Sequence, residues 1–475
     1  MKNYPLYLNG EWIERKDTIE VLNPATNKAF AKISTIGREE VSKAIEDAHT
    51  AFHGWRKLTG KKRGEYLEKI ADELEKRRDD IARIITTENG KPLAQSSGEV
   101  AMSVDHLRWF AGEARRTYGR IVPQQDDGKR HMIIKTPIGV VGAISPWNFP
   151  LVLSLRKVAP ALAAGCPVIL KPSSATPICA FALAECVEAA GVPKGVFQLV
   201  AGSASEISKE FLDNPKCKKI TFTGSTEVGR ILIKGAADSV KPLSLELGGH
   251  APFIVFEDAD LDAAVEGAVI TKFRNMGQSC IASNRIYVQR SIYSKFIDKF
   301  VEKTRVLKIG DGFEENVDIG PLLNKEGLIK AQKHIEDAVK NGAKLMCGGE
   351  QLDRDGYFLK PAVLTDVPLD SLCLTEETFA PVAPVVSFEN EEEVIKMAND
   401  THYGLSAYAY TRDLSRSFRL MESLEAGTIG LNDAVPSTSQ CPFGGFKQSG
   451  WGRELGLEGL ESFLETKHIS LGLEI

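Results

Sequence analysis

Residues 138–200, IGVVGAISPWNFPLVLSLRKVAPALAAGCPVILKPSSATPICAFALAECVEAAGVPKGVFQLV, alternate short apolar runs with longer segments of helical character. The runs are Val140–Ile144, Val168–Leu170 and Val196–Val200, and Ile220–Phe222 follows them. Apolar runs of strand length separated by helices are the pattern of a parallel sheet built from βαβ units. Between the second and third runs, Thr176 reads as a helix N-cap, Pro177 as the first helical residue and Gly191 as the stop. The stretch therefore predicts an α/β sheet of the nucleotide-binding type.

Part of it, residues 136–155, carries no charge and is about long enough to cross a bilayer. Pro137, Pro146 and Pro150, with Gly139, Gly142 and Asn148 between them, would break the backbone hydrogen bonding that a lipid-exposed helix must keep. A buried strand leading into a loop is expected instead, and no membrane association.

On the N-terminal side, residues 38–115 place Val41, Ile45, Ala48 and Phe52, then Leu67, Ile70 and Leu74, at helical spacing. These are amphipathic helices, with Trp55, Trp109 and Phe110 as packing residues. On the C-terminal side a second βα-rich half opens near Leu247, with strands at Phe253–Phe256 and Arg285–Val288. Residues 118–135 read as two strands around an Asp-Gly turn, and Glu465–Leu473 as a terminal strand. Neither belongs comfortably to a compact α/β core.

The 475 residues, 43% hydrophobic and 26% charged, suit about two to four domains and exclude a disordered or fibrous chain. A net charge of −5 gives no electrostatic footprint for nucleic acid, so small-molecule partners are expected. The eight cysteines form no C-x-x-C pair and the eight histidines no H-E-x-x-H, which predicts neither a disulfide framework nor a metal site. The first residues, MKNYPLYLNGEW, lack a secretory apolar core, and a cytoplasmic location is expected.

There is no G-x-G-x-x-G fingerprint. Gly224-Ser225-Thr226-Glu227-Val228-Gly229 follows a strand and opens a helix, but Arg230 replaces the lysine of a Walker loop, which disfavours ATP hydrolysis. What remains is a helix N-terminus beside Ser225, where backbone N–H groups can meet a phosphate.

Seven segments occur in order: PWNFP (146–150), KPSSATP (171–177), FTGSTEVG (222–229), LELGGHAP (245–252), NMGQSC (275–280), EETFAPV (376–382) and PFGGFKQSG (442–450). Together they closely resemble the aldehyde dehydrogenase superfamily, and the separation of Glu246 from Cys280 agrees with that family's pattern. The resemblance implies an α/β fold with three parts: a Rossmann-like NAD(P)-binding domain (1–117 and 136–247), an α/β catalytic domain (248–450) and a β-hairpin oligomerisation element (118–135 and 451–475) that makes a homodimer or homotetramer.

It further implies NAD(P)-dependent oxidation of an aldehyde to a carboxylic acid, with Cys280 as nucleophile, Glu246 as general base for thioester hydrolysis, and Asn148 with the Cys280 N–H as oxyanion hole. Lys171 would bind the adenosine ribose, and Glu377 and Phe379 the nicotinamide ribose and ring. Ile144, Ser145, Pro146, Trp147, Phe222, Gly224, Ser225 and Leu247 complete the expected cofactor set. Ala380 stands where the family usually has glycine.

At position 174 many NAD-preferring relatives carry glutamate. Here it is Ser174, which does not repel a 2′-phosphate, so NADP is expected to serve at least as well as NAD. Arg156 and Arg274 match the succinate-semialdehyde dehydrogenases, and with Ser437 they would hold a terminal carboxylate. Succinate semialdehyde is the first expectation, glutarate semialdehyde the second, with a broad-range or non-catalytic member as rivals. Ala282 stands where a second cysteine often sits, which removes a local disulfide switch. A CoA-acylating or plain hydrolytic use of the same thiol is the other rival, and the retained Glu246 argues for hydrolysis over acyl transfer to CoA.

Overall fold

The computed structural model describes residues 1–474. Its organising element is an eight-stranded sheet whose five central strands are parallel: Val140–Ile144, Val168–Lys171, Phe197–Leu199, Cys217–Thr223 and Leu243–Glu246. Chain order along this sheet runs outward from Val140–Ile144 through Val168–Lys171 to Phe197–Leu199, then restarts on its other side with Cys217–Thr223 and Leu243–Glu246. The strand order thus reverses between Val140–Ile144 and Cys217–Thr223, and the crevice beyond their carboxyl ends is where ligands bind in doubly wound sheets. Leu6–Leu8 and Glu11–Ile13 close one edge in antiparallel fashion, and Gly450–Trp451 closes the other against Glu246.

Four helices, Arg38–Trp55, Gly60–Lys76, Arg78–Asn89 and Leu93–Glu113, occupy the span where amphipathic helices are expected. Val41, Ile45, Ala48, Leu67, Ile70 and Leu74 are buried in the core of this half, and Trp55 and Phe110 pack there too. Two local expectations are overturned. Residues 150–155 form the start of a helix, Pro150–Ala164, because Pro150 sits in its first turn, where a missing N–H costs nothing. Thr176 does not cap the helix Ile178–Ala189, and Pro177 lies just outside it. The Thr176 hydroxyl donates to the Trp147 carbonyl, while the buried Glu88 carboxylate accepts from the N–H groups of Ile178 (2.6 Å) and Cys179 (3.1 Å). A carboxylate from a distant helix satisfies the orphan donors that a local hydroxyl was expected to take.

A second, seven-stranded sheet contains Ala251–Val255 and Ser283–Gln289 as adjacent parallel strands at its centre. The chain leaves the first sheet at Glu246 and enters the second at Ala251, so the turn between them brings the carboxyl edge of one sheet to the amino edge of the other. Arg120–Val122, Lys129–Pro137 and Leu464–Gly472 form a separate antiparallel sheet, in register from Leu464↔Pro137 to Gly472↔Lys129. Most residues of its last strand are exposed. Leu455, Leu460 and Phe463, just before that strand, pack into the core of the first half. No helix among the described residues is long and apolar enough to cross a membrane.

Candidate active site

Cys280 follows the helix Leu261–Phe273 and a tight turn, three residues before the strand Ser283–Gln289. The turn is backbone-strained: Asn275 and Met276 take φ of 51° and 59°, which non-glycine residues rarely adopt. Gly249 lets it lie this close, since a Cβ there would fall 2.0 Å from the Cys280 carbonyl oxygen. The result is a half-buried cysteine at the meeting of two cavities, whose walls share Cys280 and Leu153.

The larger cavity lies beyond the carboxyl ends of the first sheet at its switch point. Pro146, Trp147, Asn148, Gly224, Ser225, Leu247, Glu377 and Phe379 line it. Trp147 and Phe379 meet edge to face, their ring centroids 5.4 Å apart. Phe379 holds φ at 50° whereas Ala380 has no positive φ, so alanine at 380 is compatible with this backbone. The Glu377 carboxylate accepts from the Gly249 N–H at 2.9 Å, and burial raises its pKa to about 7. Ser225 caps its helix, its hydroxyl accepting from the Val228 N–H.

Five residues expected in this set do not line the cavity. Ile144 and Lys171 are register partners at the ends of adjacent strands, and Ser174 lies in the turn beyond. Ser145 is buried and accepts from the Ser154 hydroxyl, and the Phe222 ring packs beneath Gly224. Conversely, Gln278, Asn324, Glu326 and Lys330 line it without having been singled out. Lys330 donates to the Glu377 carbonyl from the helix Lys325–Lys340, whose amphipathic pattern reads as ordinary surface. Gln278 lies in the quoted NMGQSC motif, and that proximity to Cys280 was the available signal.

Asn148 occupies the turn between the strand Val140–Ile144 and the helix Pro150–Ala164. Its Nδ2 donates to the Gln278 carbonyl at 3.0 Å, which takes one of two amide hydrogens and orients the other. Glu246 ends its strand fully buried, with Oε2 lacking any hydrogen-bond partner among the described residues. Burial, then the nearby Glu454 carboxylate, raises its pKa well above the usual carboxylate range, against the pull of Lys157 and Arg156. Gly444 makes room for it, since a Cβ there would come within 2.8 Å of Glu246 Oε1. Burial also pushes the Cys280 thiol up to about 12, so the sulfur needs a proton acceptor before it can act as a thiolate.

The smaller cavity is walled by apolar groups, among them Phe149, Val152, Ile270, Tyr408 and Phe443, together with Arg156, Arg274 and Ser437. Arg156 donates from Nη2 to the Ser437 hydroxyl at 3.1 Å, and its guanidinium lies 4.6 Å from the Phe443 ring centroid. Its Nε is buried and unpartnered. Arg274 stands 5.4 Å from the Phe149 centroid, and burial lowers its pKa. Neither arginine forms an ion pair with a carboxylate among the described residues. One buried and one half-buried guanidinium group, neither in direct contact with a carboxylate, make this cavity receptive to an anion.

This combination of fold and site places the chain in the aldehyde dehydrogenase family, whose model matches residues 12–469. The chain is 49% identical to a glutarate-semialdehyde dehydrogenase of Pseudomonas aeruginosa, over 98% of this chain and 97% of that one. It is 47% identical to the NADP(+) succinate-semialdehyde dehydrogenase of Escherichia coli (strain K12), over the same shares. A crystal structure of an aldehyde dehydrogenase from Brucella melitensis biovar abortus 2308 superposes with a TM-score of 0.98 at 47% identity, covering 99% of this chain and 98% of that chain.

Proposed function

We propose that this enzyme oxidises an aldehyde carrying a terminal carboxylate, succinate semialdehyde before glutarate semialdehyde, with NADP or NAD as hydride acceptor. The observation that carries the reading is the place of Cys280, between a switch-point cavity and a cavity holding two arginines without a carboxylate partner. The semialdehyde relatives on both sides of this substrate choice agree with it.

The residues present suit a dinucleotide. The Lys171 side chain is buried at the carboxyl end of the strand next to Val140–Ile144, where desolvation lowers its pKa. Lys171 and Ser174 would hold the adenosine end, and Glu377 and Phe379 the nicotinamide end, beside Trp147, Gly224 and Ser225. When bound, the nicotinamide supplies the hydride-accepting carbon.

In the proposed reaction the Cys280 thiol passes its proton to water in the adjoining cavities, and the thiolate attacks the aldehyde carbonyl. The resulting oxyanion is held by the free Nδ2 hydrogen of Asn148 and the Cys280 N–H. Loss of hydride leaves a thioester on Cys280. Glu246 then takes a proton from water, whose oxygen attacks the thioester carbon, and the acid departs with the thiol restored. Arg156, Arg274 and Ser437 hold the far carboxylate so that the aldehyde carbon meets the sulfur.

We assign residues 1–117 and 136–247 to cofactor binding, 248–450 to catalysis, and 118–135 with the 451–475 segment to subunit pairing in a homodimer or homotetramer, the pairing strand being Leu464–Gly472, since residues before it pack on the first half. The exposed three-stranded sheet supports the last. Eight free thiols favour a reducing, cytoplasmic compartment.

Succinate semialdehyde and butyraldehyde, nearly equal in size, differ in the terminal charge. The enzyme is expected to prefer the former strongly in kcat/KM, and Arg274→Ala to lower kcat/KM for it roughly 10²-fold while butyraldehyde changes little. Equal rates on both aldehydes in the unsubstituted enzyme would rule out the arginine clamp. A preference for glutarate semialdehyde would keep the clamp and lengthen the substrate. For the cofactor, Ser174→Glu is expected to shift the kcat/KM ratio toward NAD by roughly tenfold, because a carboxylate repels the 2′-phosphate and can accept from the ribose hydroxyls. Exclusive use of NAD by the unsubstituted enzyme would contradict this assignment.

A further inference from the structure

Packed against the Asn148 turn lies a fully buried ion pair that the reaction above does not use. Lys91 Nζ and Glu99 Oε2 are 2.7 Å apart, and neither side chain is exposed. Lys91 follows Gly90, whose φ of 88° ends the helix Arg78–Asn89, and Glu99 lies in the next helix, Leu93–Glu113. Both reach the PWNFP turn. Lys91 Nζ also donates to the Asn148 carbonyl at 2.7 Å and sits 4.0 Å from the Phe149 ring centroid. The other carboxylate oxygen of Glu99 accepts from the N–H groups of Leu151 (3.0 Å) and Val152 (3.3 Å), at the start of the helix that follows.

The Asn148 carbonyl also accepts from Asn275 Nδ2 at 2.9 Å, and Asn275 belongs to the strained turn that presents Cys280. The backbone of Asn148 is therefore tied at once to the buried lysine and to the nucleophile's own turn. Its side-chain amide is tied to Gln278 in that turn. A small rotation of the Asn148 peptide would swing its amide away from the oxygen it is proposed to hold.

We infer that the Lys91–Glu99 pair positions Asn148, making Lys91 a positioning residue for the oxyanion hole. This rests on the reading of Asn148 as oxyanion donor. Two arguments favour it over a purely structural role. A buried ion pair adds little net stability because desolvation offsets most of the attraction, so stability alone does not account for one at this site. Capping the helix at Leu151 and Val152 needs only Glu99, whereas the link from Lys91 to the Asn148 carbonyl serves the turn itself. Burial, with a smaller push from the Arg274 guanidinium, lowers the Lys91 pKa, and the adjacent Glu99 carboxylate opposes that shift.

The test is a double-mutant cycle read from the pre-steady-state burst of reduced cofactor, normalised to the active sites counted by burst amplitude. Asn148→Ala alone is expected to slow the burst roughly 10²- to 10³-fold, and near-normal burst kinetics there would overturn the oxyanion reading itself. Lys91→Met alone is expected to slow it roughly 10- to 100-fold with less than about threefold change in aldehyde KM. In the Asn148→Ala background, Lys91→Met should cost less than about threefold further, because the group it positions is gone. Losses that multiply in the double variant would overturn the inference while leaving Asn148 in its role. If Lys91→Met does not fold, Glu99→Gln, which keeps an acceptor for Leu151 and Val152 but removes the counter-charge, enters the same cycle with the same criterion.

Discussion

Cys280→Ala is expected to lower cofactor-linked aldehyde oxidation by at least ~10⁴-fold, with thermal stability and cofactor affinity close to those of the unsubstituted enzyme. The expectation follows from where the other thiols lie. Cys166, Cys179, Cys186, Cys217 and Cys373 are buried, Cys347 is partly buried and Cys441 is exposed, and none of them lines either cavity. Cys166, Cys179, Cys186 and Cys217 are packed into the core of the first half, as expected of structural cysteines. No second thiol lines either cavity, and a hydride cannot leave an aldehyde that has not first been converted to a tetrahedral adduct. Initial rates with purified Cys280→Ala measure this directly, and turnover within tenfold of normal would remove Cys280 from the reaction.

Glu246→Gln should separate the two halves of the reaction. The first turnover is expected to survive as a burst of reduced cofactor of near-stoichiometric amplitude, followed by a steady state slowed roughly 10³-fold, because glutamine cannot accept the proton of the attacking water. The sign of the pH dependence follows from the raised Glu246 pKa. Below that pKa the carboxylate is protonated and cannot act as a base, so thioester hydrolysis in the unsubstituted enzyme should fall as pH drops through it. The glutamine variant has no such group and its slow hydrolysis should lack this limb. Stopped-flow traces across pH make the comparison. Loss of the burst along with the steady state would instead assign Glu246 to deprotonating Cys280, whose thiol burial has pushed up to about 12.

The features legible in the sequence are those that short motifs encode locally. Val140–Ile144 and Ile220–Phe222 are readable as strands, the second extending in the structure to Cys217–Thr223, and Pro146 to Asn148 and Gly224 with Ser225 after them line the switch-point cavity. Arg156, Arg274 and Ser437, far apart in the chain, line one cavity. What escaped depends on distant partners. The Glu88 carboxylate reaches the helix at Ile178 from another helix, and nothing near Thr176 announces that its hydroxyl is spent on Trp147. Lys330 sits on a helix whose exposed and buried faces alternate normally, so its bond to the Glu377 carbonyl leaves no periodic mark. Lys91 and Glu99 read as two solvated charges in a region rich in them, and only the packing of two helices against PWNFP turns them into a buried pair.

The central claim is that an acyl group passes through a thioester on Cys280 before water releases it. Glu246→Gln should let that species accumulate, so the variant can be mixed with succinate semialdehyde and NADP, quenched in acid, and examined by intact and peptide mass spectrometry. A succinyl adduct confined to the peptide containing Cys280, formed only when cofactor is present, is the predicted result. An adduct on another residue, or full burst formation of reduced cofactor with no adduct on Cys280, would contradict it.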